Sequence, residues 1–446
     1  MKEILLFGAG MSASSLIDYL LDQCQKFEWR LVIIDRDLDL IHSKLKGHAC
    51  GQALVIDISD DEKRRLAIES SDIVISMLPA FLHTLVAKDC LALKRNLVTA
   101  SYVSDDLDNM RAEVEAAGLC FMNEIGLDPG IDHMSAMQVI DHIKSKNAEL
   151  SSFKSFTGGL VAPEYDSNPW RYKFTWNPRN VVLAGQGISK FISDNQYKYV
   201  PYHKLFTRTE IIDVLDYGHF EAYANRDSLS YRSIYGIEGI PTILRGTLRR
   251  PGYCRAWNLL VQLGMTDDSY VIDNSEDMTY REFTNSFLFF RPQDTVEIKL
   301  AYYLGIELNS QEMHKFTWLG LFADEKIGLK NATPAQILQN LMEKKMSLEP
   351  EDKDMCVMQH IFEYKDAGTT KRITSSMVAK GEDQTITAMA KTVGLPLAIY
   401  VKLFLRDEIK LKPGVHIPVM PEVYNPVLNE LKDYGIEFIE KEVALN

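Results

Sequence analysis

The first 35 residues constrain this chain more than any other stretch. A short apolar run at residues 3–7 (EILLF) passes directly into Gly8-Ala9-Gly10-Met11-Ser12-Ala13. A helical stretch over residues 14–24 leads to a second apolar run, 31–34, which ends on Asp35. Strand, tight turn, helix, strand and acid, in that order, is the layout of a dinucleotide site of the G-x-G-x-x-G/A type. Each part has a physical role. Gly8 permits the tight turn, Gly10 lets backbone approach a pyrophosphate, and Ala13 is small enough for close helix–strand packing. The helix start, with Met11 and Ser12, offers N–H groups and a partial positive charge to phosphates. Asp35 is placed to accept hydrogen bonds from ribose hydroxyls. The motif alone also occurs by chance, and its weight comes from the flanking strands and the acid in register.

The alternation continues. Strands are expected at residues 53–58, 72–78 (DIVISML), 96–100 and 119–123, with helices at 60–69, 81–93 and 104–117. With the first two strands this gives six, the full doubly wound unit. Ligands of such a sheet sit beyond the carboxyl ends of its strands. That rule selects Gly8 to Ser12, Asp35, Met77-Leu78-Pro79, Ser101-Tyr102 and the residues from Glu124 onward. The last group includes Asp128, Asp132 and His133 inside a Gly/Pro-constrained segment, Gly126 to His133, ahead of a helix at 134–144. Either Asp could be only a helix N-cap, but two carboxylates and an imidazole at a ligand edge favour function.

From residue 151 the pattern becomes α+β. Residues 162–178 read as an ordered loop with Trp170, Tyr172, Phe174 and Trp176, aromatics weighted towards packing, and with Arg171, Lys173 and Arg179 nearby. Strand-like pieces follow at 197–202, 220–224 and 241–249. Residues 257–346 are mainly helical. A hairpin over 355–379 turns at Asp366-Ala367-Gly368, and a helix over 385–406 is expected to break near Gly394 and Pro396. A short helix (426–434) and a last strand (437–439) end the chain.

The expected architecture is therefore α/β: a Rossmann doubly wound parallel sheet plus an α+β mixed-sheet domain with an inserted helical subdomain. The Rossmann domain would span 1–125, the mixed-sheet domain 126–255 and 347–390, and the helical insertion 256–346. Residues 391–446 would pack back toward the first domain. The net charge of −13 argues against nucleic acid or an anionic membrane as general partners. Any anionic substrate then needs arginines gathered locally. No run of about 18 apolar residues is apparent, so no membrane span is expected. Six scattered cysteines without a C-x-x-C pair suggest reduced thiols in a cytoplasmic protein, with no metal site. The short N-terminal apolar run does not read as a secretory signal.

Several stretches together resemble a known family. They are VTASY (98–102), NEIGLDPGIDHM (123–134), GGL-x-APE from Gly158, Tyr172-Lys173-Phe174, Asn225-Arg226-Asp227-Ser228, LRGTLR (244–249), EDKDMCVM (351–358) and AMAKTVGLP (388–396). The chain resembles saccharopine dehydrogenases of the glutamate-forming type, including the dehydrogenase half of animal aminoadipic semialdehyde synthases. The resemblance implies oxidation of a secondary amine, saccharopine, with hydride passing to a nicotinamide cofactor. It places substrate at Ser101, Tyr102, Asp128, Phe174, Arg226, Gly246 and Thr247, to which Arg245 is added as a second cation. It places the cofactor at Gly8, Gly10, Met11, Ser12, Ala13, Asp35, Arg36, Met77, Leu78, Pro79 and Ser101. Asp128 and His133 are the acid–base candidates, with Tyr102 as orienter. A homodimer through the second domain is also implied.

Two departures matter. The family often carries Cys where this chain has Thr157. Fungal members carry Ala-Cys-Arg at the position of Ile34-Asp35-Arg36, which suits a 2′-phosphate. Asp35 would repel that phosphate, so NAD is expected, while Arg36 keeps NADP open. Two other readings are a related amine dehydrogenase, such as one acting on carboxynorspermidine, and a non-catalytic NAD(H)-binding sensor or assembly protein.

Overall fold

The run EILLF forms β1 (Glu3–Phe7), and Ile4 to Phe7 are fully buried because this strand lies at the centre of a sheet. The computed structural model describes residues 1–445. Strands β2 (Arg30–Asp35), β3 (Gly51–Val55), β4 (Ile73–Ser76), β5 (Asn96–Thr99) and β6 (Cys120–Met122) join it in the order β3-β2-β1-β4-β5-β6, all parallel. Both faces are covered, so the strands read as apolar runs rather than alternating ones. The order reverses between β1 and β4, which places the ligand crevice beside the glycine turn.

The connecting helices are α1 (Ser14–Phe27), α2 (Leu38–Leu45), α3 (Asp61–Ser70), α4 (His83–Ala92), α5 (Asp105–Asn109), α6 (Arg111–Ala116) and α7 (Ile131–Ser145). No helix was expected between Asp35 and residue 53, yet α2 forms there. Its signal is Asp37, an N-cap whose side chain accepts from the Leu40 N–H. Residues 104–117, expected as one helix, form two. The first closes with a bond from the Met110 N–H to the Leu107 carbonyl (3.1 Å), and the second restarts at Arg111. The charged helix α3 carries a buried residue, Arg64, held by Asp89 (2.7 Å), Asp61 (2.7 Å) and the Ile58 carbonyl.

The chain forms two compact units, Met1–Leu150 with the residues from Tyr364 onward, and Ser151–Glu363. The second contains β7 (Glu149–Val161), α8 (Pro178–Val182), the hairpin β8 (Ile188–Ser193) and β9 (Gln196–Pro201), and α9 (Tyr202–Leu205). It continues with β10 (Thr209–Asp213), β11 (His219–Ala224), α10 (Tyr231–Ile234), β12 (Thr242–Arg249) and α11 (Tyr253–Leu263). Four more helices follow, α12 (Tyr280–Ser286), α13 (Val296–Leu304), α14 (Gln311–Leu319) and α15 (Pro334–Met346), before β13 (Asp354–Asp366). The sheet is mixed: β10, β11 and β12 are antiparallel neighbours, whereas β12 and β7 are parallel.

Past a turn at Ala367 (φ 48°) and Gly368 (φ 88°), the first unit gains β14 (Thr369–Lys380), α16 (Ala388–Leu405), β15 (Gly414–His416), α17 (Pro421–Leu431) and β16 (Ile439–Leu445). The first unit therefore extends beyond residue 125, because α7 belongs to it: the Tyr424 hydroxyl of α17 donates to Asp141 of α7 (2.7 Å). β15 adds a seventh parallel strand beside β6. β16 begins where the last strand was expected to end and pairs antiparallel with β14 from Ser376↔Ile439 to Thr370↔Leu445.

Helix α16 runs unbroken through Gly394 and Pro396, where a break was expected. The glycine is a contact device instead. A Cβ on Gly394 would stand 3.0 Å from the Leu16 backbone nitrogen and 3.2 Å from the Ser12 carbonyl oxygen, so α16 lies directly on α1 and on the turn before it. This helix also corrects the expectation that no run is long and apolar enough for a membrane. Ala388–Leu405 reaches a mean hydropathy of 1.5, but 78% of it is buried inside the protein as core. Gly394→Val should destabilise the protein by about 1–3 kcal/mol through overpacking, read from the urea midpoint at unchanged m-value.

Candidate active site

The glycine turn is held from two sides. The Gly8 N–H donates to the Ile34 carbonyl (2.8 Å) and the Met77 N–H donates to the Phe7 carbonyl (2.8 Å). Gly8 has φ +96°, and a Cβ there would sit 2.9 Å from the Met77 carbonyl oxygen. Only glycine meets both conditions. Gly10 differs: it is exposed, its φ is −61°, and a Cβ would meet no protein atom. Nothing in the protein's own packing demands glycine there, which fits a position kept bare for a closely approaching ligand. Ala13 is buried, Ser12 half-buried and Met11 exposed.

Asp35 closes the far side of this turn. Its Oδ2 accepts from the Ala9 N–H (2.8 Å), and its Oδ1 accepts from the N–H groups of Arg36 (2.7 Å) and Asp37 (3.3 Å). Arg36 is exposed; Met77 and Leu78 are half-buried, and Pro79 is exposed. These residues suit a dinucleotide, with phosphates on the turn and helix start and a ribose at Asp35.

Further along the same strand edge, the Tyr102 hydroxyl donates to Asp128 Oδ1 (3.3 Å), and both residues are half-buried. Asp128 rides on a tight loop. The Gly126 N–H donates to the Pro129 carbonyl (2.9 Å) and the Ile131 N–H to the Gly126 carbonyl (2.8 Å). Gly130 (φ +146°) has no room for a Cβ, which would lie 2.1 Å from the Gly126 oxygen. Asp132 is not the N-cap. It sits inside the first turn of α7 and accepts from the Gly130 N–H (2.6 Å).

His133 is fully buried (0% exposed), with Nε2 2.9 Å from Glu124 Oε2 and Nδ1 3.8 Å from Asp132 Oδ2. Glu124 also accepts from the Val103 N–H (3.0 Å). The imidazole thus ties the end of β6 and the segment after β5 to α7, behind the Asp128 loop. The strand-end rule selected the chain from Glu124 onward, but gave Glu124 itself no role. Ser76, His83 and Thr99 were missed outright. The Ser76 hydroxyl lies 2.8 Å from His83 Nδ1, and His83 Nε2 lies 2.7 Å from Ser101 Oγ. Burial pushes the His83 imidazole down to about 4. His83 opens an apolar helix, so its sequence neighbours gave no polar signal.

In the second unit, Arg226 is exposed at φ 50° and its carbonyl accepts from the Lys190 N–H (2.8 Å). Arg245 is nearly buried, its guanidinium 4.2 Å from the Tyr231 ring centroid. The Asn225 N–H donates to the Arg245 carbonyl (2.8 Å), so the two arginines lie on adjoining segments. Gly246 and Thr247 continue β12; a Cβ on Gly246 would meet the Tyr223 oxygen at 2.6 Å, so this glycine answers to sheet packing. Phe174 is buried edge-on against Tyr172 (5.8 Å), within an aromatic cluster that also holds Trp170, Tyr253 and Trp257. Arg171, Lys173 and Arg179 are engaged in ion pairs with Asp166, Asp352 and Asp268. Buried Arg249 lies between the rings of Tyr172 (5.3 Å) and Tyr253 (5.4 Å).

A parallel sheet in this order, with a glycine turn and an acid at its switch point, defines a dinucleotide-binding protein of the Rossmann class. Family models for the saccharopine dehydrogenase NADP binding domain and C-terminal domain match residues 4–122 and 126–436. The chain is 34% identical to saccharopine dehydrogenase [NADP(+), L-glutamate-forming] of Saccharomyces cerevisiae, over 99% of this chain and 100% of that one. It is 33% identical to the mitochondrial alpha-aminoadipic semialdehyde synthase of Rattus norvegicus, over 98% of this chain but 47% of the relative. The solved apo structure of the yeast enzyme superposes with a TM-score of 0.90, covering all of both chains. The chain belongs to the saccharopine dehydrogenase family. It is an oxidoreductase using a nicotinamide dinucleotide; the relatives named for a cofactor are named for NADP(+), which does not support the expected NAD preference. These matches do not favour the carboxynorspermidine or sensor readings.

Gly8→Ala should raise the Kd for nicotinamide dinucleotide at least about tenfold, equivalent to roughly 1.4 kcal/mol, as measured by calorimetric titration.

Proposed function

We propose that this protein is a saccharopine dehydrogenase of the L-glutamate-forming type. It oxidises saccharopine at the lysine-side carbon bonded to the secondary amine nitrogen, and water then releases L-glutamate and 2-aminoadipate 6-semialdehyde. The full-length 34% identity to the yeast enzyme of that name carries the reading. The nicotinamide, when bound, supplies the hydride acceptor. The turn from Gly8 to Ala13, Asp35 and the Met77–Pro79 backbone hold the dinucleotide. Asp128, oriented by Tyr102 and only half-buried, is the group proposed to take the amine proton and later to activate water. His133, being fully buried, serves by holding the Asp128 loop in place. Arg226 and Arg245 supply guanidiniums for the substrate carboxylates, which a protein of net charge −13 must gather locally. Ser101, Gly246, Thr247 and Phe174 complete the substrate contacts by family resemblance.

The cofactor proposed is NAD. Family names point to NADP, and the support for NAD is local. The Asp35 carboxylate ends β2, where the motif puts the ribose, and accepts from three backbone N–H groups. A 2′-phosphate would meet its charge. Asp35→Ala should shift the ratio of catalytic efficiencies with NAD and NADP toward NADP by at least about tenfold; an unmoved ratio removes Asp35 as the discriminator. A homodimer is proposed as well, supported by Ile188, Tyr197, Tyr199 and Ile211, which are exposed on β8, β9 and β10. Light scattering coupled to size exclusion checks it.

The activity itself is tested with L-saccharopine and NAD⁺ or NADP⁺ at alkaline pH, following absorbance of the reduced cofactor. No reduction with either cofactor overturns the assignment. Asp128→Asn should lower kcat by about 10²–10⁴ if it is the acid–base group, with dinucleotide affinity unchanged by titration.

A further inference from the structure

Three hydroxyls and one imidazole meet where β4 and β5 end. Ser76 is the last residue of β4 and is fully buried, as is Thr99 at the end of β5. His83, the first residue of α4, lies between them and the half-buried Ser101. Its Nδ1 is 2.8 Å from Ser76 Oγ and its Nε2 is 2.7 Å from Ser101 Oγ. Thr99 Oγ1 accepts from the Ser101 N–H (3.2 Å) and lies 3.5 Å from Nε2, too far for a strong bond.

The proton positions follow from satisfying each buried group in turn. Among the described residues, the imidazole is the polar partner of the Ser76 hydroxyl. If Nδ1 carried a hydrogen, the Ser76 proton would be buried without an acceptor, which is costly. Ser76 therefore donates to Nδ1. Burial keeps the ring neutral at any pH well above about 4. A neutral imidazole that accepts at Nδ1 carries its hydrogen on Nε2. Nε2–H then donates to Ser101 Oγ, and the Ser101 hydroxyl proton is directed elsewhere.

We propose that His83 is a positioning residue that fixes Ser101 as a hydrogen-bond donor toward the ligand edge of the parallel sheet. This rests on the reading that Ser101 belongs to that site. The ligand group recognised is an oxygen acceptor without a proton: a substrate carboxylate or the carboxamide oxygen of the nicotinamide. Ser76 acts one step further back, by selecting the imidazole tautomer. No residue of this relay is consumed or changes charge.

A double-mutant cycle tests the relay. His83→Leu in the otherwise native protein should lower kcat/KM for saccharopine by about tenfold, the scale of one misdirected hydrogen bond. In a Ser101→Ala background the same change should cost less than about twofold, since its target is already gone. His83→Gln, whose amide can accept from Ser76 and donate to Ser101, should recover most of the loss. Titration with cofactor alone separates the two sources. A weakened Kd assigns the acceptor to the carboxamide, and a loss confined to saccharopine KM assigns it to the carboxylate.

An equal cost in both backgrounds overturns the proposal, because a merely structural histidine would give that result. So does an unchanged rate in His83→Leu. If Ser101→Ala alone has no effect, the placement of Ser101 fails and the proposal with it, while intact saccharopine turnover leaves the family function standing. Should His83→Leu not fold, Ser76→Ala carries the same cycle. It leaves the ring in place but frees its tautomer, and should again cost activity only when Ser101 is present.

Discussion

The contact on which the cofactor half depends is the approach of α16 to the glycine turn. Gly394 brings helix backbone within about van der Waals range of Ser12 and Leu16. The first turn of a dinucleotide site must hold its N–H groups at fixed positions, since their partial charges act only over the first turn. Hydrogen bonds from Gly8 to Ile34 and from Met77 to Phe7 hold one side of it. Helix α16 holds the other. A residue more than 380 positions from the glycine motif therefore packs directly on the turn proposed to hold the phosphates. Gly394 lies in an apolar segment where glycine costs helix stability, and close packing is what offsets that cost.

The ligand edge is stiffened by buried polar groups rather than by apolar packing alone. Two such knots lie side by side in the strand order, Ser76–His83–Ser101 at β4 and β5, and Glu124–His133–Asp132 at β6 and α7. Satisfied polar networks in a low-dielectric setting allow few alternative geometries, whereas half-satisfied ones are costly. That constraint is useful where side chains must be held to within fractions of an ångström. It also separates two histidines from the chemistry they might be assigned on residue type. Each is buried and held by side chains at the strand ends, His83 by Ser76 and Ser101 and His133 by Glu124.

The Rossmann half was legible because its signals are local: apolar runs of strand length, a glycine turn and an acid at a fixed offset. All six strands form, five of them at the predicted runs and the third, β3, shifted to Gly51–Val55 from the expected 53–58, and the turn geometry around Gly8 is what its residue types require. The helix α2 was missed although Asp37 offered a cap, because its apolar residues are few. The helix α16 was expected to break because Gly and Pro disfavour helices locally, and tertiary packing overrode that preference. His83 was invisible for a different reason. A histidine's role depends on which strand ends face it, and no local pattern encodes that. Lys173 and Arg179 show the converse, cations conspicuous in sequence that the fold engages in ion pairs.

Asp35 shows where family membership and local chemistry part. The family relation covers the whole chain and establishes architecture and reaction class together. Cofactor choice between NAD and NADP, by contrast, turns on one phosphate and the few groups that face it. Three backbone N–H groups converge on the Asp35 carboxylate at the end of β2. A carboxylate so held cannot swing away to admit a second anion without leaving those donors unpaired. Arg36 beside it is exposed, and its guanidinium is a group suited to binding a phosphate. Under the NAD proposal, the choice rests on backbone geometry at the end of β2 that a substitution at Asp35 would release, while the rest of the fold, which most of the family likeness reports, stays as it is.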